Sequence, residues 1–157
     1  MVRLWGHLPS LQSERRYPES MTHQAREVVL RLSEAERTGE LAELCRRTGV
    51  DLLVLFGSSA RGGSEPRDVD LAVRYVPETG SDVLGLLQEL YQLTAYEDFD
   101  VLDLGRAAPL ARDRALTGAK ILYEARPGLF ASQQIAALME RMDTDEMRRV
   151  ELELLAR

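Results

Sequence analysis

The sequence predicts an α/β fold: a small mixed sheet of about four strands, helices mainly on one face, and a helical C-terminal extension. Three observations carry the prediction. Four short apolar, β-rich runs stand at 50–56, 69–75, 99–104 and 120–124. Between the second and third runs, Val83, Leu86, Leu87, Leu90 and Tyr91 recur at helical spacing. From 132 to 155, Ile135, Leu138, Met139, Met142, Val150, Leu154 and Leu155 again fall at helical intervals.

Each element follows from its residues. Residues 1–20 hold two prolines and no clear period, and read as a loose N-terminal arm. Thr22 is a candidate helix cap, and Val28, Val29, Leu32 and Ala35 continue the helix it would open. Thr38-Gly39 interrupts it. Leu41, Leu44 and Cys45 resume a helical face up to Gly49, a plausible stop. The first strand, Val50 to Phe56, is bounded by glycine on both sides, and a loop runs from Gly57 to Arg67. The second strand is Val69 to Tyr75. Pro77 to Gly80 makes a turn, and Ser81 caps the next helix. Phe99 to Leu104 is a third strand, Leu110 to Leu116 a short helix ending at Gly118, and Lys120 to Glu124 a fourth strand. Pro127-Gly128 closes the body. Asp143-Thr144-Asp145 either interrupts the final helix or starts a new one. The expected division is an arm over 1–20, a domain over 21–126 and a helical extension over 127–157.

Composition narrows the function. A chain of 157 residues with 45% apolar and 29% charged residues reads as one soluble globular domain. Its net charge of −6 argues against a nucleic-acid partner, because a phosphate backbone rewards a basic surface. The single cysteine, Cys45, excludes an intramolecular disulfide and a multi-cysteine metal site, and its helical neighbours make it a buried apolar residue. No apolar run approaches the roughly 20 residues of a membrane span, and no signal peptide is evident, so a cytoplasmic protein is expected. His7 and His23 read as surface residues, and Lys120, the only lysine, as a solvated strand end.

The chemistry concentrates between the first two strands. The apolar run ends at Gly57-Ser58-Ser59-Ala60-Arg61-Gly62, and Arg67-Asp68-Val69-Asp70-Leu71 leads into the second. On a strand, Asp68 and Asp70 project to the same face. Adjacent carboxylates repel one another unless a cation lies between them. A hard, oxygen-seeking Mg²⁺ is the usual occupant, and it usually arrives with nucleotide phosphates. A lone D-x-D is commonly a solvated strand end. What raises this one is the small-residue loop beside it, where a triphosphate would lie: Gly57 for close backbone approach, Ser58 for a hydroxyl contact, and Arg61 for a planar cationic fork. A third carboxylate on a neighbouring strand would separate a transferase from a nucleotide binder. Asp100 and Asp103 are the candidates, and three residues apart they point to opposite faces.

With these motifs, and with Phe99-Asp100-Val101-Leu102-Asp103-Leu104, Arg106-Ala107-Ala108-Pro109-Leu110 and Gly118-Ala119-Lys120-Ile121-Leu122-Tyr123-Glu124, the chain resembles the DNA polymerase β-type nucleotidyltransferase superfamily. More narrowly, it resembles the minimal nucleotidyltransferases that act as antitoxins beside HEPN-domain toxins. The resemblance covers roughly Glu27 to Glu124. It implies that Asp100 rather than Asp103 is the third catalytic and metal-binding aspartate beside Asp68 and Asp70. It also implies Mg²⁺ as cofactor, ATP as substrate, and transfer of AMP to a tyrosine of the cognate toxin. The chain departs from the pattern at Arg67, where many relatives carry serine. Two other readings stay open: a catalytically weak antitoxin acting by binding alone, and a nucleotidyltransferase for small molecules. The second fits less well, because the roughly 30 residues after Glu124 leave little chain to cradle an acceptor. The C-terminal helix offers an apolar, methionine-bearing face to its own domain, a toxin or a second copy of the chain.

Overall fold

The computed structural model describes residues 19–61 and 68–155, with side chains described over 23–61 and 68–144. The loose-arm assignment for 1–18, the end of the expected loop at 62–67 and the departure at Arg67 lie outside the described residues. Elements run α1 (Glu19–Thr38), α2 (Glu40–Arg47), β1 (Val50–Phe56), α3 (Gly57–Ala60), β2 (Val69–Tyr75), α4 (Val83–Thr94), β3 (Phe99–Asp103), α5 (Pro109–Leu116), β4 (Lys120–Glu124) and α6 (Leu129–Leu155).

The sheet has four strands in the order β3-β2-β1-β4. β1 pairs antiparallel with both β2 and β4, whereas β2 and β3 are parallel. A parallel pair needs a crossover, which α4 provides. The arrangement is the expected mixed sheet, and it sets the functional geometry. Parallel pairing brings the starts of β2 and β3 side by side, and antiparallel pairing adds the end of β1.

Alternation along the strands sorts their residues between two cores. Leu53, Leu55, Leu71 and Val73 face the larger core, which α1, α2 and α4 cover with residues such as Leu32, Leu41 and Leu90. Leu52, Val54, Ala72 and Leu102 face the opposite way, under Leu116 of α5 and Leu129 and Ala137 of α6. The helical cover is heavier on the first face. Fully burying one such leucine contributes about 1.5–3 kcal/mol. Cys45 lies in the larger core as a free thiol, and burial pushes its pKa up to about 12. It is a packing residue.

Several local expectations shift. α1 already begins at Glu19, so Thr22 lies within it and is not its cap. The break after α1 is at Gly39, whose φ of 85° reverses the chain without steric cost. Asp82, not Ser81, caps α4: its carboxylate accepts a hydrogen bond from the Gly85 amide at 2.9 Å. Two capping residues are adjacent there, and a carboxylate also complements the helix dipole. The first four residues of the expected 57–67 loop form the helical turn α3. α6 runs unbroken through Asp143-Thr144-Asp145, where the Thr144 hydroxyl donates to the Glu140 carbonyl at 2.8 Å rather than competing for a backbone amide.

Candidate active site

One row of the sheet carries the candidate chemistry. Phe56 of β1 lies opposite Asp70 of β2, and Asp70 lies opposite Asp100 of β3. The next row on the same face is Val54, Ala72 and Leu102, which belong to the core under α5 and α6. The aspartates therefore stand just beyond the apolar part of a half-covered face. Asp68 precedes β2 by one residue and, by alternation, belongs to this face too.

The three carboxylates act on one another. Burial, and then the negative charges of Asp100 and Asp68, push the Asp70 carboxyl up to about 6. Among the described residues, no three acidic, histidine or cysteine side chains form a ready-made metal cage. Mg²⁺ is usually held by one or two carboxylates, with waters and substrate phosphates completing its octahedron, so an open cluster of acidic oxygens is adequate. Asp68, Asp70 and Asp100 are the residues that would hold it.

Gly57 forms the wall beside Asp70. Its φ is 68°, and a Cβ built there would fall 2.3 Å from Asp70 Oδ2. The positive φ favours glycine, and a larger residue would have to displace the Asp70 carboxylate. Ser58 follows on α3, half-buried. Arg61 closes the turn: its amide donates to the Ser58 carbonyl at 3.3 Å, and its exposed side chain donates through Nε to the Gly57 carbonyl at 3.1 Å. The structure thus brings Gly57, Ser58 and Arg61 together on one turn beside the aspartates.

Asp103 faces the other way. It accepts from the Gly105 amide at 2.9 Å and from Ser81 Oγ at 2.6 Å, so it caps the turn after β3. Lys120 is also drawn away from the site, with Nζ donating to Ser33 Oγ at 3.0 Å and lying 3.5 Å from Glu36. His23 sits exposed on α1 beside Glu27.

Two residues near the site escape sequence reasoning. Ser59 Oγ donates to the backbone carbonyl of Asp68 at 2.5 Å. The doubled serine of the loop was its only signal. Tyr96, in the turn before β3, packs edge-on against Phe99 with ring centroids 5.1 Å apart. Burial, followed by the charges of Asp98, Asp68, Asp100 and Asp70, pushes its hydroxyl up to about 12. Nothing in the local sequence marks it.

Asp68 and Asp70 at the start of β2, Asp100 on the parallel neighbour and a glycine-serine turn beside Asp70 form an arrangement suited to nucleotidyl transfer. The chain belongs to the family described as Polymerase beta, Nucleotidyltransferase, whose pattern it matches over residues 40–127. No curated protein is significantly similar to the chain in sequence. Solved structures share its fold. One is a toxin–antitoxin complex with AMP-PNP, where the matched chain is 20% identical, 76% of this chain and 98% of that one are covered, and the TM-score is 0.58. A second is a tri-AMPylated Shewanella oneidensis HEPN toxin in complex with MNT antitoxin, at 18% identity, 80% and 99% coverage and a TM-score of 0.56. A third, a mutant of the toxin–antitoxin MntA–HpeT, gives 18% identity, 76% and 98% coverage and a TM-score of 0.57. At such identities the likeness is one of fold.

Proposed function

We propose that this nucleotidyltransferase transfers AMP from ATP to a tyrosine of a cognate HEPN toxin, with Mg²⁺ as cofactor, and acts as the antitoxin of the pair. The observation that carries the reading is the juxtaposition of Asp70 with Asp100 across the β2–β3 ladder, next to the Gly57-Ser58 turn. The fold it shares with antitoxins of MNT–HEPN complexes supports the choice of acceptor.

In this reading Gly57 and Ser58 cradle the triphosphate, and Arg61 adds a cationic fork to its oxygens. Asp68 and Asp70 would hold the Mg²⁺ that accompanies the triphosphate, and Asp100 serves the attacking hydroxyl. The tyrosine oxygen attacks the α-phosphorus, a new P–O bond forms as the bond to pyrophosphate breaks and pyrophosphate leaves, and the phenolic proton passes to solvent. Mg²⁺, when bound, neutralises charge between the carboxylates and the triphosphate and acidifies the nucleophile. The exposed stripe of Ile135, Leu138, Met139 and Met142 on α6 is an apolar face for the toxin to cover. The domain division at residue 126 and a cytoplasmic location complete the proposal. Among the described residues no helix is long and apolar enough to cross a membrane.

The test is incubation of the purified protein with toxin, ATP and Mg²⁺, followed by mass spectrometry of the toxin and assay of its ribonuclease activity. AMP on a toxin tyrosine with loss of cleavage is the expected result. Neutralisation without modification would favour antitoxin action by binding alone. No transfer and no complex would overturn the reading.

A further inference from the structure

We infer that Ser59 is a positioning residue for Asp68, its hydroxyl holding the peptide group from which the first aspartate of the site departs. Among the described residues neither ladder reaches Asp68: β1 pairs with β2 as far as Phe56 opposite Asp70, and β3 pairs with β2 from Val69 opposite Phe99. A carbonyl just outside a ladder lacks the strand partner that would fix its plane. Ser59 Oγ, in a residue only 8% exposed, supplies that partner at 2.5 Å across nine residues of chain. Holding this carbonyl holds the Asp68–Val69 peptide plane, and with it the ψ angle that sets where the Asp68 side chain leaves the backbone. The bond also ties α3 to the start of β2, so the phosphate-side turn and the carboxylate side move as one body. The adjacent hydroxyls thereby divide the work: Ser58, whose hydroxyl makes no hydrogen bond among the described residues, is the one left to phosphate, whereas Ser59 acts through Asp68.

The inference rests on the reading of Asp68 as a metal ligand, and a double-mutant cycle separates the two. Mn²⁺ serves as probe, titrated by electron paramagnetic resonance into the nucleotide-free, full-length protein. Ser59→Ala is expected to weaken Mn²⁺ binding by roughly three- to tenfold, the worth of one hydrogen bond, and Ser59→Thr, which keeps the hydroxyl, to restore it. In an Asp68→Asn background, Ser59→Ala should add no further loss, because its effect passes through the carboxylate already removed. If Asp68→Asn leaves Mn²⁺ affinity unchanged, the metal-ligand reading fails and this inference falls with it. If Asp68→Asn weakens binding but Ser59→Ala does not, or if Ser59→Ala costs the same in both backgrounds, the positioning role alone is overturned. Thermal melting accompanies each variant. Should Ser59→Ala not fold, Ser59→Cys, close in volume and a poorer donor, carries the same cycle with the same outcomes.

Discussion

Asp100 and Asp103 sit three residues apart on one strand and have opposite surroundings. Asp100 stands beside Asp70, whereas Asp103 is tied to Gly105 and Ser81. In the proposed site, Asp100→Asn should abolish nucleotidyl transfer while ATP binding, measured by calorimetry, largely survives. Asp103→Asn should instead lower stability by about 1 kcal/mol through the weakened turn and leave transfer nearly intact. A dead Asp103→Asn enzyme of normal stability would place the third carboxylate on the wrong face. Asp70 allows a second test through its pH dependence. Its folded pKa is raised from 3.8 to about 6, so the folded state holds the proton more tightly than the unfolded chain does. In metal-free protein its contribution is therefore most favourable below pH 4, is lost as pH rises towards 6, and stays lost above. Asp70→Asn removes that loss. The variant should melt a few degrees higher than the parent at pH 7.5, on the order of 1–2 kcal/mol after allowance for partial solvent screening, while the two converge near pH 4. A constant difference across that range would show that burial and repulsion at Asp70 are smaller than its surroundings indicate.

At the scale of elements, α6 does two jobs along its 27 residues. Its first half belongs to the body. Leu129 and Ala137 are buried against the sheet, and Glu124 Oε2 accepts from the Phe130 amide in the first turn. Gln134 donates to the Leu116 carbonyl at the end of α5. Arg112 pairs with Glu140 at 2.8 Å and Arg141 with Asp113 at 3.1 Å, a reciprocal clasp between α5 and α6. Deleting 129–157 uncovers Leu52, Val54, Ala72 and Leu102, and is expected to unfold the domain cooperatively. Deleting 145–157 should leave a folded, ATP-binding protein. Circular dichroism melts of the two truncations distinguish these outcomes, and a folded 129–157 deletion would show that α6 is dispensable to the core.

At the scale of the whole molecule, an apolar stripe on α6 stands uncovered among the described residues. Ile135, Met139 and Met142 are each about 60% exposed on a single face of α6, a spacing that suits burial against another helix. On the proposed function this stripe meets the toxin, so Ile135→Glu with Met139→Glu should abolish complex formation in size-exclusion chromatography. The domain's own melting temperature should change little, because neither side chain is packed. Intact binding by this variant would move the docking surface elsewhere on the molecule.

Much of this protein was determined by its sequence alone. Short apolar, β-rich runs set β1, β2 and β4 to the residue, because each gives way at both ends to small, polar or turn-forming residues. The loop Gly57-Ser58 and the pair Asp68, Asp70 are neighbours in the chain, so their proximity is local and legible. Alternation likewise separates Asp100 from Asp103, although choosing between them needed the family resemblance. Other features depended on contacts between distant segments. Asp70 opposite Asp100 depends on parallel register between residues 30 positions apart in the chain. The capture of Asp68 by Ser59, the approach of Tyr96 to the acidic cluster and the clasp of α5 with the first half of α6 likewise have no local pattern. The physical reason is the same throughout. Backbone preference and side-chain period act over a few residues, whereas shared burial, mutual electrostatic fields and hydrogen bonds between distant segments exist only once the chain has packed.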